Sequence, residues 1–150
     1  MNPKAPKLVK VGFVTEPSIA TLERMSDDEL AAVQCFAVER PDFGRVEWLG
    51  RVDVRDVDLD ADVRICERDG PPEVEVYDDA DAKRRKPPVG SKLNRPAVVT
   101  LRRVGPGAAA TDAERAKWAK RVEKATKKMN AALVDYDANA GVWKFKVPHF

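Results

Sequence analysis

One imidazole and two thiols are the side chains of this sequence best suited to nucleophilic or acid–base chemistry: His149, Cys35 and Cys66. A Ser-His-Asp or Cys-His site needs a histidine fixed in a pocket, whereas His149 is the second-last residue of the sequence. Cys35 lies in an apolar strand pattern, which predicts a buried side chain and not a nucleophile. Residue types and spacing alone therefore indicate a binding module, not a complete catalytic site.

Metal and cofactor chemistry has little support in the sequence. The two cysteines form no CxxC pair, and one histidine does not complete the ligand set of a structural zinc site. Five aspartates between Asp53 and Asp62 suggest a calcium loop, but the glycine at the sixth position and the glutamate at the twelfth are missing. The sequence also lacks a glycine-rich phosphate loop. We expect no metal and no cofactor.

The composition is that of one ordinary domain. Of 150 residues, 43% are hydrophobic, which is enough for a core, and 35% are charged. The net charge is only +2, so no overall field attracts the chain to nucleic acid or to a membrane surface. No run of 18 apolar residues is present, and the start lacks the apolar stretch of a signal peptide. We expect a reducing compartment and no membrane partner.

Hydrophobic patterning predicts seven strands and two helical regions. Residues 1–7 are polar and interrupted by proline, which predicts a flexible tail, and residues 8–150 form the domain. The predicted strands are 8–15, 32–40, 45–54, 63–67, 73–77, 96–104 and 142–147. A short helix begins near Pro17, and a turn signal at 69–72 joins the fourth and fifth strands. The pattern predicts an α+β fold with a mostly antiparallel, half-open sandwich-like sheet.

The second helical region is predicted to be one long helix over residues 111–136. Thr111 and Glu114 have the spacing of a capping box, as Ser26 and Glu29 do near the start of the chain. Apolar residues then recur at helical spacing: Trp118, Val122, Ala125, Met129, Leu133 and Tyr136. This stripe predicts a long amphipathic helix near the C-terminus that packs against the sheet.

Two basic features favour an alternative function. The predicted loop 78–90 contains the cluster Lys83, Arg84, Arg85 and Lys86, which suits a nuclear localisation signal, a nucleic-acid contact or a solvated loop. The exposed face of the long helix is also basic, but no aromatic side chains alternate there for base stacking. A basic RNA-binding module therefore stays open as the alternative.

The end of the chain has an unusual pattern. Residues 142–147 alternate as a strand that runs to within three residues of the C-terminus. Chain ends usually fray unless something holds them. An apolar Phe150 in the last position indicates an end that occupies a pocket or was produced by processing.

Several motifs resemble those of a known family. Residues 86–90 read KPPVG, 93–95 read LNR, and the chain closes with WKFKVPHF over 143–150. These motifs, together with GFVT at 12–15, resemble the autoproteolytic C-terminal domain of GLFG-repeat nucleoporins of the nuclear pore complex. The resemblance follows the order of the family over about residues 8–150.

The resemblance implies a self-cleaving serine-type autopeptidase in a precursor. The scissile bond would follow His149-Phe150, with Phe150 supplying the carbonyl and a following serine supplying the nucleophile. His149 would be the general base, because histidine side chains titrate near neutral pH. The serine is not in this sequence, so the chain is expected to resemble the cleaved product and to have no further peptidase activity.

The resemblance also implies a location and partners. Such a domain anchors a repeat-bearing nucleoporin to the scaffold of the nuclear pore, where it serves nucleocytoplasmic transport of protein and mRNA. Its partners would be a β-propeller nucleoporin or the peptide that follows the cleavage site. We expect the cluster Lys83, Arg84, Arg85 and Lys86 to contact the protein partner more than RNA.

Overall fold

The computed structural model of the chain describes residues 1–67, 70–78 and 80–150. In chain order its strands are β1 (Val14–Glu16), β2 (Val33–Gln34), β3 (Ala37–Arg40), β4 (Gly44–Trp48), β5 (Arg51–Val52), β6 (Val63–Glu67), β7 (Pro72–Val76), β8 (Ala97–Leu101), β9 (Ala132–Asp137) and β10 (Val142–Val147). The helices are α1 (Ile19–Glu23), α2 (Asp27–Leu30), α3 (Leu59–Asp62), α4 (Ala80–Arg85) and α5 (Asp112–Lys128).

Six of these strands form one antiparallel sheet with the spatial order β1-β3-β4-β8-β10-β9. Two smaller pairings, β2 with β5 and β6 with β7, are also antiparallel. The α+β class with a mostly antiparallel sheet and one long helix near the C-terminus is therefore confirmed. The C-terminal strand β10 lies between β8 and β9, so the end of the chain belongs to the interior of the sheet.

One face of the sheet forms the core. Trp48, Val99 and Phe145 are paired or adjacent positions on that face, and each is at most 4% exposed. The α5 helix packs here, because Nε1 of Trp143 donates a 3.1 Å hydrogen bond to Oγ1 of the buried Thr126. β10 is therefore an integral part of the core.

The hairpin of β6 and β7 closes over the same face beside Gly44. A Cβ atom at Gly44 would lie 3.0 Å from the Thr100 carbonyl oxygen and 3.3 Å from Cγ2 of Ile65. Both distances are tighter than most Cβ contacts, so a larger residue at Gly44 would require both β8 and the hairpin to shift by a few tenths of an ångström.

Two helices begin where the capping boxes predict, but the long helix ends earlier than predicted. Both capping boxes form, at Ser26 with Glu29 and at Thr111 with Glu114. The predicted helix over 111–136 is wrong beyond residue 128: the chain turns at Asn130 with a φ of 57° and continues as β9. Pairing with β10 outweighs the helical periodicity, because β9 forms an antiparallel ladder with β10, interrupted by one register shift between Lys144 and Phe145.

Left-handed backbone divides two of the predicted strands. Cys35 has a φ of 53° and separates β2 from β3, and its side chain is exposed, so the predicted buried position is wrong. The break predicted at Leu49-Gly50 is confirmed, since Gly50 has a φ of 73° between β4 and β5. The amide of Cys35 donates a 3.1 Å hydrogen bond to the Gly50 carbonyl, which joins the two breaks.

The first seven residues lie against the domain. The amide of Asn2 donates to the Glu23 carbonyl at 2.7 Å, and Ala5 is 7% exposed. Lys7 forms a parallel bridge with Asp58. The prolines of this segment break regular structure, yet hydrogen bonds hold the segment where the sequence predicts a flexible tail.

Two further segments differ from the predicted boundaries. The strand predicted over 8–15 is reduced to β1, and Val9 and Val11 are exposed. The loop predicted over 78–90 contains α4, although Asp79 lies outside the described residues. The predicted turn at 69–72 includes Asp69, which also lies outside them.

Candidate functional site

The last residue of the chain is held by a buried amide side chain. The backbone N–H of Phe150 donates a 2.8 Å hydrogen bond to Oδ1 of Asn94, which is 2% exposed. The half-buried ring of Phe150 packs against the indole of Trp48, with ring centroids 6.1 Å apart and planes inclined by 54°. The end of the chain therefore has one polar and one aromatic attachment.

Trp48 forms a rigid base for this attachment. It is fully buried at the end of β4 and stacks on Phe36 with a centroid separation of 5.8 Å. Its Nε1 donates a 2.8 Å hydrogen bond to the carbonyl of Leu93, the neighbour of Asn94 in the chain. The aromatic and polar contacts of Phe150 are thus coupled through Leu93.

Asn94 is fixed by its other polar groups. Its Nδ2 donates to the Pro87 carbonyl at 2.9 Å, and its backbone N–H donates to the Ser91 carbonyl at 2.9 Å. Its carbonyl accepts from the Gly90 amide at 2.7 Å. These bonds restrict rotation of the Asn94 side chain, so its Oδ1 is held in the direction of the Phe150 amide.

Sequence reasoning missed Asn94 as a site residue. It appears in the LNR motif used for the resemblance, but the pattern alone assigns it no contact. The sequence did contain a signal, because an asparagine lies among turn residues inside one of the motifs that carry the resemblance. In the structure Asn94 bonds to Pro87 and Gly90, so the motifs at 86–90 and 93–95 form one local unit.

A buried tyrosine supports the same segment from behind. The Tyr77 hydroxyl accepts a 3.3 Å hydrogen bond from the Leu93 amide. Burial raises the pKa of Tyr77 to about 12, with the nearby Asp62 adding to the shift. The phenol is therefore neutral at physiological pH and has a structural contact here, not the role of a base.

Charged side chains hold the outer side of the segment. Lys92 Nζ lies 3.1 Å from Oδ2 of Asp53 and donates a 2.9 Å bond to the Arg55 carbonyl. Arg55 also binds Asp53 through Nη2 at 2.9 Å. Burial alone would raise the pKa of Asp53, but its bonds to Arg55 and Lys92 are stronger and lower the pKa to about 2.

His149 precedes Phe150 in the chain, but its side chain does not take part in the contacts with Asn94 and Trp48. Its side chain is exposed, and the described part of the chain offers the imidazole no hydrogen-bond partner and no carboxylate within 4.0 Å. The structure therefore brings Phe150 to Asn94 and Trp48, while His149 is connected to this site through its peptide bond to Phe150.

The predicted partner-binding cluster lies on α4 and the residue after it. Lys83, Arg84 and Lys86 are exposed, and Arg84 pairs with Asp81 at 2.5 Å. Arg85 differs, because its Nη2 lies 2.7 Å from Oδ1 of the buried Asp62. The cluster precedes Pro87 directly, so it borders the segment that holds the chain end.

The described residues provide no group of three or more histidine, cysteine, aspartate or glutamate side chains arranged to hold a metal ion. Within the same residues no helix is long and apolar enough to cross a membrane. A cavity of about 560 Å³ lies behind residues 87–93, and Tyr77, Arg85 and Lys92 contribute to its wall. The geometry at Phe150 thus consists of a carbonyl-bearing residue clamped at its amide and ring, next to an accessible imidazole.

Comparison with known proteins identifies the family to which the chain is similar. The family model described as Nucleoporin2, Nup98-96 autopeptidase S59, matches residues 10–150. A relative from Dictyostelium discoideum, the nuclear pore complex protein Nup98-Nup96, is 35% identical over 156 residues. That alignment covers 100% of this chain but 7% of the relative, so the chain spans a small part of the curated proteins it matches.

Two solved structures share the fold. An alanine mutant of the Chaetomium thermophilum Nup145N APD fused to Nup145C N has a TM-score of 0.78 and 26% identity, with 92% of this chain and 94% of that chain covered. The yeast heterotrimeric Nup82-Nup159-Nup116 complex has a chain with a TM-score of 0.76 and 23% identity, with 94% and 98% covered. These comparisons give no support to the alternative of an RNA-binding module.

Proposed function

Because the chain belongs to the Nup98-96 autopeptidase S59 family, we propose that residues 8–150 form the self-cleaving, pore-targeting domain of a nucleoporin. The observation that supports this function is the clamp on Phe150, formed by the 2.8 Å bond to Asn94 and the packing on Trp48. These two contacts fix Phe150, the residue whose carbonyl the proposed reaction would use.

The proposed reaction begins in a precursor in which a serine follows Phe150. The serine oxygen attacks the Phe150 carbonyl carbon and forms an ester, while the peptide C–N bond breaks and its nitrogen becomes a free amine. Water then hydrolyses the ester, which leaves a carboxylate on Phe150 and restores the serine hydroxyl. The overall change is the addition of one water molecule across one peptide bond.

Asn94 has a positioning role in this reaction. Its bond to the Phe150 amide fixes the residue on the acyl side of the bond to be broken, so the carbonyl presents a constant face to the attacking oxygen. His149 is the proposed base for the serine proton, because it precedes Phe150 and its imidazole is accessible. The reaction needs no metal or cofactor, since nucleophile, base and carbonyl all belong to the polypeptide.

We base the proposed location and partners on membership of the family. We assign the domain to the nuclear pore complex in the nucleus, where it would anchor its nucleoporin to the scaffold in support of protein and mRNA transport. The Nup145N domain of similar structure was solved as a fusion to Nup145C N. That fusion supports the peptide after the cleavage site as one proposed partner. The second proposed partner, a β-propeller nucleoporin of the scaffold, is what the family resemblance implies.

A serine extension tests the activity. The chain is expressed with a serine and ten further residues after Phe150, and the intact mass is followed with time. We expect loss of the extension and a product whose mass ends at Phe150. The matched control carries alanine in place of the added serine and should stay intact, and cleavage of that control by the same amount would exclude the proposed chemistry.

A further inference from the structure

A second cavity, of about 410 Å³, lies at the other end of the sheet between β3 and β6. It shares no lining residue with the site at Phe150. Among the described residues its wall contains three cationic side chains and no acidic residue, next to apolar and aromatic surface: Lys10, Arg40, Arg64, Phe13, Ile65 and Cys66. The Arg64 guanidinium already lies 4.0 Å from a carboxylate oxygen of Glu75, outside this wall.

Arg40 is the rigid centre of this cavity. Its Nη1 donates a 3.0 Å hydrogen bond to the Ile65 carbonyl, and its guanidinium carbon lies 4.0 Å from the centroid of the Phe43 ring. Among the described residues no carboxylate lies within 4.0 Å of the Arg40 guanidinium. The remaining N–H groups are therefore held in place without a charged partner, which suits them to a carboxylate from another molecule.

Other arginines of the same sheet differ in this respect. Arg45 pairs with Glu16 at 2.6 Å, with Glu47 at 3.3 Å and with Glu39 at 3.5 Å. Arg102 lies 3.8 Å from Glu39. In the described part of the chain, the lack of a carboxylate within 4.0 Å therefore distinguishes Arg40 from Arg45 and Arg102, and also from Arg64 in the same cavity wall.

The aromatic rings beside the cavity already carry cations. The Phe13 ring lies 5.4 Å from Nζ of Lys10 and 5.8 Å from the Arg40 guanidinium. The Phe43 ring is approached by Arg40 and, at 4.6 Å, by Arg103. These contacts hold the cations in position and occupy the rings, which disfavours stacking of nucleobases and favours carboxylate binding.

We propose that this cavity binds an acidic peptide segment of a protein partner. A glutamate or aspartate would pair with Arg40 and Lys10, and a neighbouring apolar side chain would pack on Ile65. The volume suits one or two side chains of an extended peptide and lies in the range of specific ligand sites. This function goes beyond self-cleavage and does not depend on it.

The first test uses a defined probe. A fluorescein-labelled peptide of sequence Gly-Glu-Asp-Leu-Glu-Asp-Gly is titrated at 50 mM salt, with a Gln/Asn version as the uncharged control. We expect saturable binding of the acidic peptide only, and amide chemical-shift changes centred on Phe13, Arg40 and Ile65. Equal binding of both peptides, or shift changes elsewhere on the surface, would overturn the proposal.

Variants identify the residues responsible. Arg40→Gln should weaken binding at least tenfold and Arg40→Lys should weaken it less, because the charge is kept and the planar fork is lost. Lys124→Gln removes an exposed charge on α5 and is the matched control, with less than a twofold effect. If Arg40→Gln proves unfolded by circular dichroism, Lys10→Gln replaces it, and an unchanged affinity of that variant contradicts the proposal.

Cys66 provides an independent footprint. In a Cys35→Ser background the neutral reagent iodoacetamide modifies Cys66, and mass spectrometry gives the rate. Saturating acidic peptide should slow that rate severalfold, whereas an unchanged rate would place the peptide outside the cavity. An oligouridine with the same Arg40-dependent affinity and the same protection would overturn the assignment to an acidic protein partner.

Discussion

The backbone N–H of Phe150 donates a 2.8 Å hydrogen bond to Oδ1 of Asn94, a residue 56 positions earlier in the chain. The bond joins the two ends of one functional unit, the turn that contains Asn94 and the strand that delivers Phe150. Because Asn94 is buried and its other groups are already bonded, the position of Phe150 is determined by the core and not by the chain end itself.

Replacement of Asn94 separates positioning from stability. In the serine-extended chain Asn94→Ala should slow cleavage at least tenfold and lower the free energy of unfolding by about 1–3 kcal/mol, since the Pro87 carbonyl and the Phe150 amide lose a buried partner. Cleavage is measured at a temperature where the variant is fully folded, and hydrogen exchange at the Phe150 amide should accelerate. Asn139→Ala, in an exposed turn, is the control. A folded Asn94→Ala variant with the wild-type rate would limit Asn94 to a structural role.

The second prediction concerns the base. His149→Ala in the same extended chain should slow cleavage by about 10²-fold or more, within the range of general-base catalysis. The melting temperature should change by about 1 °C or less, because the side chain is exposed and forms no hydrogen bond or ion pair with the described part of the chain. Intact-mass kinetics and a melting curve measure both quantities. Wild-type kinetics in this variant would show that geometry at the junction suffices without an imidazole.

The third prediction is that truncation of the Phe150 side chain destabilises the fold. Phe150→Ala removes the packing on Trp48 and should lower the free energy of unfolding by about 1–2 kcal/mol, less than for a fully buried phenylalanine because the ring is half-buried. Urea denaturation gives the value, with His149→Ala as the neighbouring control. Equal stabilities of the two variants would mean that the ring is not held in solution.

The basic cluster should act on association with the scaffold partner. Replacing Lys83, Arg84 and Lys86 with serine should reduce the on-rate several-fold and flatten its salt dependence, with a smaller change in the off-rate. Arg85 is left in place, because its removal would leave the buried Asp62 without this ion pair. Stopped-flow or surface plasmon resonance distinguishes the rates. An unchanged on-rate combined with a faster off-rate would make the cluster a buried anchor.

Asp53 gives the domain a defined acid response. Its folded-state pKa of about 2 lies below the ordinary value of 3.8, so its stabilisation is complete above about pH 4 and is lost as the pH falls towards 2. Asp53→Asn should therefore destabilise the domain at pH 7 by about 1 kcal/mol or less, given the solvent screening of a partly exposed pair. Thermal unfolding across pH 2–7 should show the two proteins converging at the acid end. A constant difference at all pH values would contradict the ion-pair origin.

Several elements could be predicted from local sequence. The alternation in residues 142–147 and the capping boxes at Ser26 and Thr111 are confirmed, because each depends on neighbours a few residues apart. The extent of α5 could not be predicted this way. Leu133 and Tyr136 continue a helical spacing, but their place is decided by pairing with β10, which no short window contains.

The sequence by itself determined the α+β class, the strand at the chain end and the family motifs at 86–95 and 143–150. Only the tertiary structure showed that these motifs meet, through Asn94 and Phe150, because their separation along the chain carries no distance information. The same holds for Arg40, an ordinary strand residue in the sequence, whose rings and cavity come from three separate segments. Local preferences follow from neighbouring residues, whereas a site depends on which distant side chains the core packs against one another.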